Sequence, residues 1–412
     1  MIREKVDVLV LGAGAGGLSA ASQAADCGAR VALVDREETP GGVLEQCIHP
    51  GFGLHRYREE LTGPEFAHRL VAELDRSSAE FYGTRYASSI NPQTREVDTL
   101  GPGGRIVFTP TTVVLTTGAR ERAFGALGIP GSRPSGILTA GVAQRLVNID
   151  GVLPGRRAIV LGSGDIGLIM ARRLHLEGVE VVAVLEQRPF PGGLLRNVVQ
   201  CLEDFEIPLL LKHTISCVHG TARLEGVTVV EVDDSGAPIQ GTEKLVEADA
   251  LVLSVGLIPD NELVVGIAPL DQGNGGPRID SQMRTEATWL FAAGNNVVIF
   301  DLADWVAAAG AAAGRHAAEQ ALGGRLPKSL TQLVRGSHVL HMVPGALAPG
   351  EDCHVFVRVD QPIVRGRLTI GQDVSQVLHG ARPSEMIDLH LSKDQVNELC
   401  RSAAAHVDVI IE

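Results

Sequence analysis

The chain contains the same glycine pattern twice, in the same frame, about 150 residues apart. Each copy has an apolar run, a Gly-x-Gly-x-x-Gly turn, a helical stretch, a second apolar run ending in an acid, and a Pro-Gly-Gly segment. The first turn occupies residues 12–17 and the second residues 162–167. One such turn is a weak signal, but two matched copies predict two dinucleotide-binding sites in one chain. Two sites of this kind favour a protein that carries electrons between two nucleotides.

The three glycines of each turn have separate physical roles. The first permits a tight turn, the second lets a pyrophosphate approach the backbone, and the third allows the helix to pack closely on the strand. The pyrophosphate then lies at the N-terminus of the helix, where backbone N–H groups are free. The glycines predicted for these roles are Gly12, Gly14 and Gly17 in the first copy, and Gly162, Gly164 and Gly167 in the second.

An acidic residue ends the second apolar run of each copy. Asp35 follows Gly12 by 23 residues. Glu186 follows Gly162 by 24 residues. A carboxylate at this distance accepts hydrogen bonds from the ribose hydroxyls of an adenosine. Glu186 would also repel a 2′-phosphate and so favours NAD(H), whereas rotation of Arg188 into the site keeps NADP(H) as the alternative.

The composition is that of a globular protein and argues against several classes of function. Hydrophobic residues make up 45% of the 412 positions, which is enough for two or three domains with their own cores. The formal net charge of −13 argues against a surface that binds nucleic acid or acidic membranes. The six cysteines include no Cys-x-x-Cys pair, so neither a metal site nor a thioredoxin-type redox pair is expected. With no predicted membrane span and no signal-peptide pattern, the protein is expected to be cytoplasmic.

The order of the elements predicts that the second dinucleotide domain is inserted into the first. An apolar strand that ends in Gly294 and Asn295 belongs with the first unit and precedes an alanine-rich helix. From about residue 327, apolar and polar residues alternate as they do in strands. We therefore predict an α/β fold with two Rossmann-like, three-layer ββα dinucleotide-binding domains and a small C-terminal β-rich domain. The predicted boundaries are 1–125 and 259–326 for the first domain, 126–258 for the second, and 327–412 for the last.

Further motifs make the chain resemble the pyridine nucleotide–disulfide oxidoreductase superfamily. Thr116-Thr117-Gly118-Ala119 is similar to its Ala-Thr-Gly-Ala segment, and residues 290–295 are similar to its Phe-Ala-Ala-Gly-Asp segment. The compact first unit resembles the thioredoxin-reductase-like branch. Residues 46–55 and 59–65 most resemble the NAD/FAD oxidoreductases that accompany anaerobic glycerol-3-phosphate dehydrogenases. The α-subunits of sarcosine and opine oxidases are more distantly similar.

This resemblance implies an FAD-dependent oxidoreductase that exchanges a hydride between a nicotinamide nucleotide and the flavin. The residues implied to hold or line FAD are Gly12, Gly14, Gly17, Asp35, Gly42, Thr117, Gly118, Gly294 and Asn295. Those implied to hold NAD(H), or NADP(H) in the alternative, are Gly162, Gly164, Gly167 and Glu186. Asn295 stands where the superfamily has aspartate, and its amide oxygen can still accept a hydrogen bond from a ribityl hydroxyl. The helix that follows, near Leu302, would point its N-terminus at the flavin and favour an anionic reduced form.

The partners implied by the resemblance are a second FAD dehydrogenase, which would act on glycerol 3-phosphate or a similar hydroxy acid, and a small iron–sulfur protein. The C-terminal domain would then be a docking surface, or alternatively a cap on the core or a homodimer contact. Because the flavin supplies the redox chemistry, no proton-transferring side chain is required. Nucleic acid and metal are not expected as ligands.

Two other interpretations stay open. In the first, the protein is a disulfide or peroxide reductase in which Cys47 is the nucleophile. His49, two residues further on, would then lower the pKa of the Cys47 thiol. The plainer interpretation of Cys47 is a small residue that packs at the flavin edge. In the second, the protein is a non-catalytic, flavin-bound scaffold within a larger complex.

Overall fold

Two compact units make up the computed structural model of the protein, which describes residues 2–327, 330–372 and 374–411. The first unit contains the chain up to Ala119 and again from Pro259 onward, and the second contains Arg120–Ile258. The predicted α/β fold, with two Rossmann-like sheets and a β-rich C-terminal region, is confirmed. The domain boundaries proposed from sequence stay predictions.

The elements follow one another in three stretches of chain. The first contains β1 (Ile2–Leu11), α1 (Ala15–Asp26), β2 (Val31–Val34), β3 (Pro50–Phe52), β4 (Leu61–Thr62), α2 (Gly63–Arg76), β5 (Glu80–Tyr82), β6 (Tyr86–Ile90), β7 (Val97–Gly101) and β8 (Gly104–Leu115). The second contains β9 (Ala119–Glu121), β10 (Ile137–Thr139), α3 (Ala140–Asn148), β11 (Arg157–Leu161), α4 (Asp165–Leu176), β12 (Glu180–Glu186), α5 (Leu195–Cys201), β13 (Leu209–Leu211), β14 (His213–Gly220), β15 (Leu224–Glu231), β16 (Lys244–Glu247), β17 (Ala250–Leu253) and β18 (Leu257–Pro259). The third contains β19 (Leu290–Ala292), α6 (Ala303–Ala321), β20 (Thr331–Arg335), β21 (Val339–Val343), β22 (Ala346–Leu347), β23 (Cys353–Val359), β24 (Gly366–Ile370), β25 (Val374–Leu378), β26 (Ile387–Leu391), α7 (Lys393–Leu399) and β27 (Ala404–Ile411).

A mixed sheet forms the centre of the first unit. Its strand order is β5-β2-β1-β8-β7-β6, and β19 pairs with the C-terminal half of β8. The strands β5, β2, β1, β8 and β19 are parallel, whereas β6 and β7 are antiparallel to their neighbours. Val8 and Val10 of β1 pack with α1, α2 and α6 on one face, while Leu9 and Leu11 belong to the core on the other face. A strand buried on both faces explains the continuous apolar run at this position.

Helices α1 and α6 pack with their backbones in close contact. A Cβ atom added at Gly310 would lie 2.0 Å from the carbonyl oxygen of Gly16, and one at Gly314 would lie 2.1 Å from that of Ala20. Only small residues fit this interface, since any larger side chain would push the helices apart. The packing fixes the direction of α6 and thereby the position of its N-terminus.

The second unit contains a five-stranded parallel sheet in the order β10-β17-β11-β12-β13. Residues of β11 alternate between its two cores, with Ala158 and Val160 in one and Ile159 and Leu161 in the other. A separate antiparallel sheet, β14-β15-β16, follows. Within the described part of the chain, no helix is both long and apolar enough to cross a membrane.

The β-rich C-terminal region has its own core but also contacts the sheet region of the first unit. Its strands form a five-stranded sheet, β22-β20-β27-β24-β25, and a three-stranded sheet, β21-β23-β26. Phe356 of β23 packs edge-on against Phe300, with 5.1 Å between ring centroids, and its ring centroid is also 5.1 Å from that of Trp305. The guanidinium of Arg358 pairs with the carboxylate of Asp301, just before α6. These contacts connect the C-terminal strands to the start of α6.

Candidate functional site

The first glycine turn joins β1 to α1 and leaves open space beside its middle glycine. Gly12 has a φ of +103°, and a Cβ atom there would lie 2.4 Å from the Thr116 carbonyl oxygen. A Cβ atom at Gly17 would lie 1.6 Å from the Gly12 carbonyl oxygen. In contrast, no atom lies within 4 Å of a Cβ added at Gly14, the N-cap of α1, which has no side-chain cap. The space and the free N–H groups fit a pyrophosphate.

Asp35 lies at the end of β2 and is hydrogen-bonded to the same turn. One carboxylate oxygen accepts from the backbone N–H of Ala13 at 2.5 Å, and the other accepts from that of Glu37 at 2.8 Å. A carboxylate oxygen has capacity for more than one hydrogen bond, so Asp35 can also accept from a ribose hydroxyl. Its half-buried position fits the predicted role.

The Pro-Gly-Gly segment lies directly over the first turn. The backbone N–H of Gly41 donates to the Ala13 carbonyl at 2.9 Å. Gly42 has a φ of +59°, and a Cβ atom there would lie 3.1 Å from the Cα atom of Gly14. The structure therefore brings Gly42 to the open space at Gly14, as the resemblance implies.

Thr117 and Gly118 follow β8, next to the first turn. The hydroxyl of Thr117 donates to the carbonyl of Asp260 at 2.6 Å, and the Asp260 N–H donates to the Gly118 carbonyl at 2.9 Å. Gly118 has a φ of +71° and no atom within 4 Å of an added Cβ. It therefore borders open space, as Gly14 does.

Gly294 and Asn295 follow β19 and lie close to α6. A Cβ atom at Gly294, where φ is +86°, would lie 3.0 Å from a methyl carbon of Val306. The side-chain oxygen of Asn295 accepts from the N–H of Phe300 at 3.1 Å. This oxygen retains a second lone pair, so the predicted hydrogen bond from a ribityl hydroxyl is still available to it.

Sequence reasoning missed a pair of buried amides behind Asn295. Asn296 is fully buried, and neither polar atom of its side chain has a hydrogen-bond partner in the described part of the protein. The amide nitrogen of Asn261 donates to the Asn296 carbonyl at 2.8 Å and to that of Gly275 at 3.0 Å. Asn261 thus ties the segment after Asp260, which bonds to Thr117 and Gly118, to the segment after β19, which carries Gly294 and Asn295.

Asp304, in the first turn of α6, is a second residue that sequence reasoning missed. Its carboxylate accepts from the backbone N–H groups of Gly53, His55 and Arg56 at 2.9–3.1 Å. Leu302, the N-cap of α6, provides no side-chain cap. The first backbone N–H groups of a helix have no acceptor within the helix, so those of α6 can donate to a ligand; that this ligand is the flavin stays a prediction.

Cys47 and His49 follow the Pro-Gly-Gly segment that contacts the first turn. Cys47 ends a 3-10 turn at Gly42–Gln46, and its thiol donates to the Val43 carbonyl with a sulfur–oxygen distance of 3.3 Å. The Nδ1 atom of His49 is 2.9 Å from the Pro50 carbonyl oxygen. Cys47 is half-buried, and its Cβ atom would be 2.7 Å from a Cβ added at Gly63. The backbone and Cβ atom of Cys47 are therefore closely packed against Gly63 at the start of α2.

The second glycine turn repeats the geometry of the first. Gly162 has a φ of +99°, and a Cβ atom there would lie 2.1 Å from the Ser254 carbonyl oxygen. A Cβ atom at Gly167 would lie 2.5 Å from the Gly162 carbonyl oxygen. At Gly164 the nearest atom is the Ser254 hydroxyl oxygen, 3.4 Å away. The middle glycine again borders the space in which a pyrophosphate would lie.

Glu186 is buried at the end of β12 and already has partners on both oxygens. One oxygen accepts from the hydroxyl of Ser163 at 2.5 Å, and the other from the backbone N–H of Arg188 at 3.0 Å and its Nε at 3.1 Å. Burial disfavours the charge, but the hydrogen bonds from Arg188 and Ser163 outweigh it and lower the pKa of the Glu186 carboxyl. Arg188 is thus held by Glu186, and the preference for NAD(H) stays a prediction.

No metal site accompanies these two turns: within the described residues, no three His, Cys, Asp or Glu side chains are grouped to hold an ion.

Comparison with known proteins identifies relatives of the chain. The model of the pyridine nucleotide-disulphide oxidoreductase family matches residues 6–314. An opine oxidase subunit of Rhizobium meliloti is 28% identical over 291 residues, which are 64% of this chain and 52% of that protein. Thioredoxin reductase of Listeria innocua is 24% identical over 302 residues, which are 71% of this chain and 86% of that protein. The chain thus spans about half the length of the opine oxidase protein.

One solved structure supports the fold. The thioredoxin reductase of T. acidophilum superposes with a TM-score of 0.64 and 22% identity, covering 78% of this chain and all of that chain. At this identity the likeness concerns the fold alone.

Proposed function

The chain belongs to the pyridine nucleotide-disulphide oxidoreductase family, and from this premise we propose that it passes electrons between NAD(H) and a partner dehydrogenase through FAD. As a member of this family it is an oxidoreductase that uses FAD and NAD(P). The nicotinamide preference, the partner and the residues that hold each nucleotide are the proposed parts.

The observation that carries the proposal is the shared geometry of the two glycine turns. In each turn, the first and third glycines are forced by backbone contacts, whereas the middle glycine borders space at an uncapped helix N-terminus. We assign the first turn to FAD because Gly42, Gly118 and Gly294 converge near it, and the second to NAD(H) because Glu186 and Arg188 are paired there.

FAD, when bound, supplies a ring system that takes up a hydride and releases electrons singly or in pairs. The chain's own residues bind and orient it. The N–H groups at the start of α1 would stabilise the pyrophosphate charge, and Asp35 would accept a hydrogen bond from the adenosine ribose. The N–H groups at the start of α6 would favour negative charge on the flavin ring.

Two features support a partner dehydrogenase. Residues 46–55 and 59–65 resemble those of oxidoreductases that accompany glycerol-3-phosphate dehydrogenases, and the opine oxidase relative is named as one part of an oxidase with several chains. We propose a second FAD dehydrogenase for a hydroxy acid such as glycerol 3-phosphate, with a small iron–sulfur protein as an intermediate carrier. Alternatively, the C-terminal strands form the contact of a homodimer. A cytoplasmic location is part of the proposal, and cell fractionation tests it.

The alternative of a single-cysteine disulfide or peroxide reductase is favoured by one observation. Cys47 lies directly after the turn at Gly42–Gln46, next to the proposed flavin site. In that reaction NADH and a proton would reduce a disulfide to two thiols, with Cys47 forming a mixed disulfide on the way.

The experiment that separates these functions uses Cys47→Ser. Our proposal predicts that the FAD-loaded variant is reduced by NADH and turns over an artificial dye within about twofold of the wild type, because serine can make the same hydrogen bond to Val43. Cys201→Ser, at a buried cysteine of the second unit, is the matched control. Loss of turnover in Cys47→Ser alone, with the flavin still reducible, would favour the reductase. A flavin that NADH does not reduce at all would favour the scaffold.

A further inference from the structure

Asp304 has a buried carboxylate that is held by the backbone of a distant loop. The residue is 5% exposed. One oxygen accepts from the Gly53 N–H at 3.0 Å, and the other from the N–H groups of His55 and Arg56 at 3.1 and 2.9 Å. Among the described residues no cation pairs with it, so these three backbone donors stabilise its charge. Burying a carboxylate costs free energy unless donors satisfy its oxygens. The three donors therefore require the loop to stay in one position beside Asp304.

The loop segment at residues 53–56, which we call the strap, is fixed on both sides. Before it, β3 pairs with β4, and Gly53 has a φ of +84° with an added Cβ only 2.9 Å from the Glu59 carbonyl oxygen. After it, the guanidinium of Arg56 pairs with Glu73 of α2 at 2.5 Å. The strap therefore lies between α2 and the start of α6, and Asp304 accepts hydrogen bonds from three of its four residues.

The charge of Asp304 lies in the first turn of α6. The N-terminus of a helix carries a partial positive charge, which a carboxylate in its first turn offsets. Asp301, three residues earlier, pairs with the guanidinium of Arg358, whereas among the described residues the donors to Asp304 are backbone N–H groups. Asp304 thus places a carboxylate, bonded to backbone donors, in the first turn of the helix that is proposed to face the flavin.

We propose that Asp304 is a positioning residue of the flavin site. It holds the strap across the start of α6, and its charge offsets the positive end of that helix. A fixed negative charge at the end of a helix that faces the flavin would oppose the arrival of electrons on the ring, so we expect Asp304 to keep the reduction potential of the flavin lower than α6 alone would set it. This inference rests on the FAD site proposed above.

The test compares Asp304→Asn with Asp304→Glu. The asparagine variant removes the charge and places an N–H₂ group against backbone donors. The midpoint potential of its bound flavin is expected to become more positive, and hydrogen exchange of the peptide containing the strap to rise about tenfold. The glutamate variant keeps the charge, so the midpoint potential of its flavin is expected to stay close to that of the wild type. Asp301→Asn, which loses contacts to Arg358 and Met386 instead, is expected to leave strap exchange unchanged.

The outcomes distinguish this inference from the proposed function. Suppose that the wild type binds FAD. If the flavin potential or the hydrogen exchange of the strap in Asp304→Asn then equals the wild-type value, the positioning role is wrong but the proposed function stands. If the wild type itself does not bind FAD, the proposed function fails first. If Asp304→Asn does not fold, Asp304→Glu takes its place in the test. We then expect faster hydrogen exchange of the strap and a flavin potential close to that of the wild type. Unchanged hydrogen exchange of the strap would contradict the inference.

Discussion

Gly14 and Gly17 lie in one turn, but different constraints, ligand space and backbone packing, apply to them. Gly17 is fixed by the fold, because a Cβ there would lie 1.6 Å from a backbone oxygen. Gly14 has a φ of −76° and open space around it, so the folded chain tolerates a side chain at this position. Only a bound ligand would require glycine at Gly14.

Gly14→Val is therefore predicted to fold without FAD. We expect a colourless protein whose free energy of unfolding is within about 1 kcal/mol of the wild-type apoprotein, since nothing is displaced. Absorbance after reconstitution with FAD and thermal unfolding measure the two effects. Gly103→Val, at an exposed turn with the same open surroundings, is the control and is expected to bind FAD normally. A yellow Gly14→Val protein with one FAD per chain would contradict the assignment.

Glu186 is predicted to set the choice of nicotinamide nucleotide. In Glu186→Gln the repulsion of a 2′-phosphate is removed and Arg188 loses its ion pair, which frees it to contact that phosphate. We expect the preference for NADH over NADPH, as the ratio of kcat/KM values, to fall by about tenfold. Glu180→Gln, an exposed acid at the other end of β12, is expected to leave the ratio unchanged. An unaltered ratio in Glu186→Gln would show that selectivity lies elsewhere.

Residues of the site differ in how far the sequence could predict them. Gly12, Gly17 and Asp35 were predicted from spacing within one strand–turn–helix–strand unit, and the structure brings them together around the first turn, while their roles towards FAD stay predictions. Asp304 could not be predicted, because its partners are about 250 residues away and it has no motif of its own. Asn296 lies next to a predicted residue, but its complete burial depends on tertiary packing.

Among the elements, α6 has the most roles. Its first turn is proposed to face the flavin, its glycines contact α1, and its Arg315 and His316 contact Glu351, which lies between β22 and β23. His316 is 2% exposed, and burial, together with the charge of Arg315, lowers the pKa of its imidazole. His354 on β23 has the opposite shift, because a hydrogen bond to Asp388 raises the pKa of its imidazole.

These two shifts predict opposite effects on stability. In the unfolded chain His316 takes up a proton near its ordinary pKa of 6.5, whereas in the folded chain its pKa is lower. The stability gained from neutral His316 is therefore lost as the pH falls below about 6.5. His354 contributes stability that is present below 6.5 and lost as the pH rises through its raised pKa. We expect His316→Gln to flatten the fall in melting temperature between pH 7 and pH 5, and His354→Gln to steepen it. The same slope in both variants and the wild type would contradict this account.

At the scale of the whole molecule, the α/β fold could be predicted because the chain repeats one sequence pattern. What the repeat could not show is how the C-terminal strands attach. Phe356 and Arg358 are two residues apart on β23 and look from sequence like an ordinary alternating strand, yet they contact Phe300 and Asp301 at the start of α6. Such contacts depend on tertiary arrangement rather than on local pattern.

Truncation after Gly324 tests the role of these strands. The contacts of Phe356 and Arg358 with the start of α6 lead us to expect a shortened chain that is poorly soluble and retains little FAD, since apolar surface of Phe300 and Trp305 is exposed. Arg358→Met in the full chain, which removes one contact only, is expected to lower the melting temperature without loss of FAD. A soluble, yellow truncated protein that no longer binds its partner would instead make the C-terminal strands a docking module.

The most direct test of the account is the reduction of the bound flavin by a nicotinamide nucleotide. The FAD-loaded protein is mixed without oxygen in a stopped-flow instrument with NADH or with NADPH, and the visible absorbance of the oxidised flavin is followed. We predict rapid bleaching by NADH and slower bleaching by NADPH. A flavin that stays oxidised with both nucleotides would contradict the proposed electron transfer, and faster bleaching by NADPH would contradict the role of Glu186.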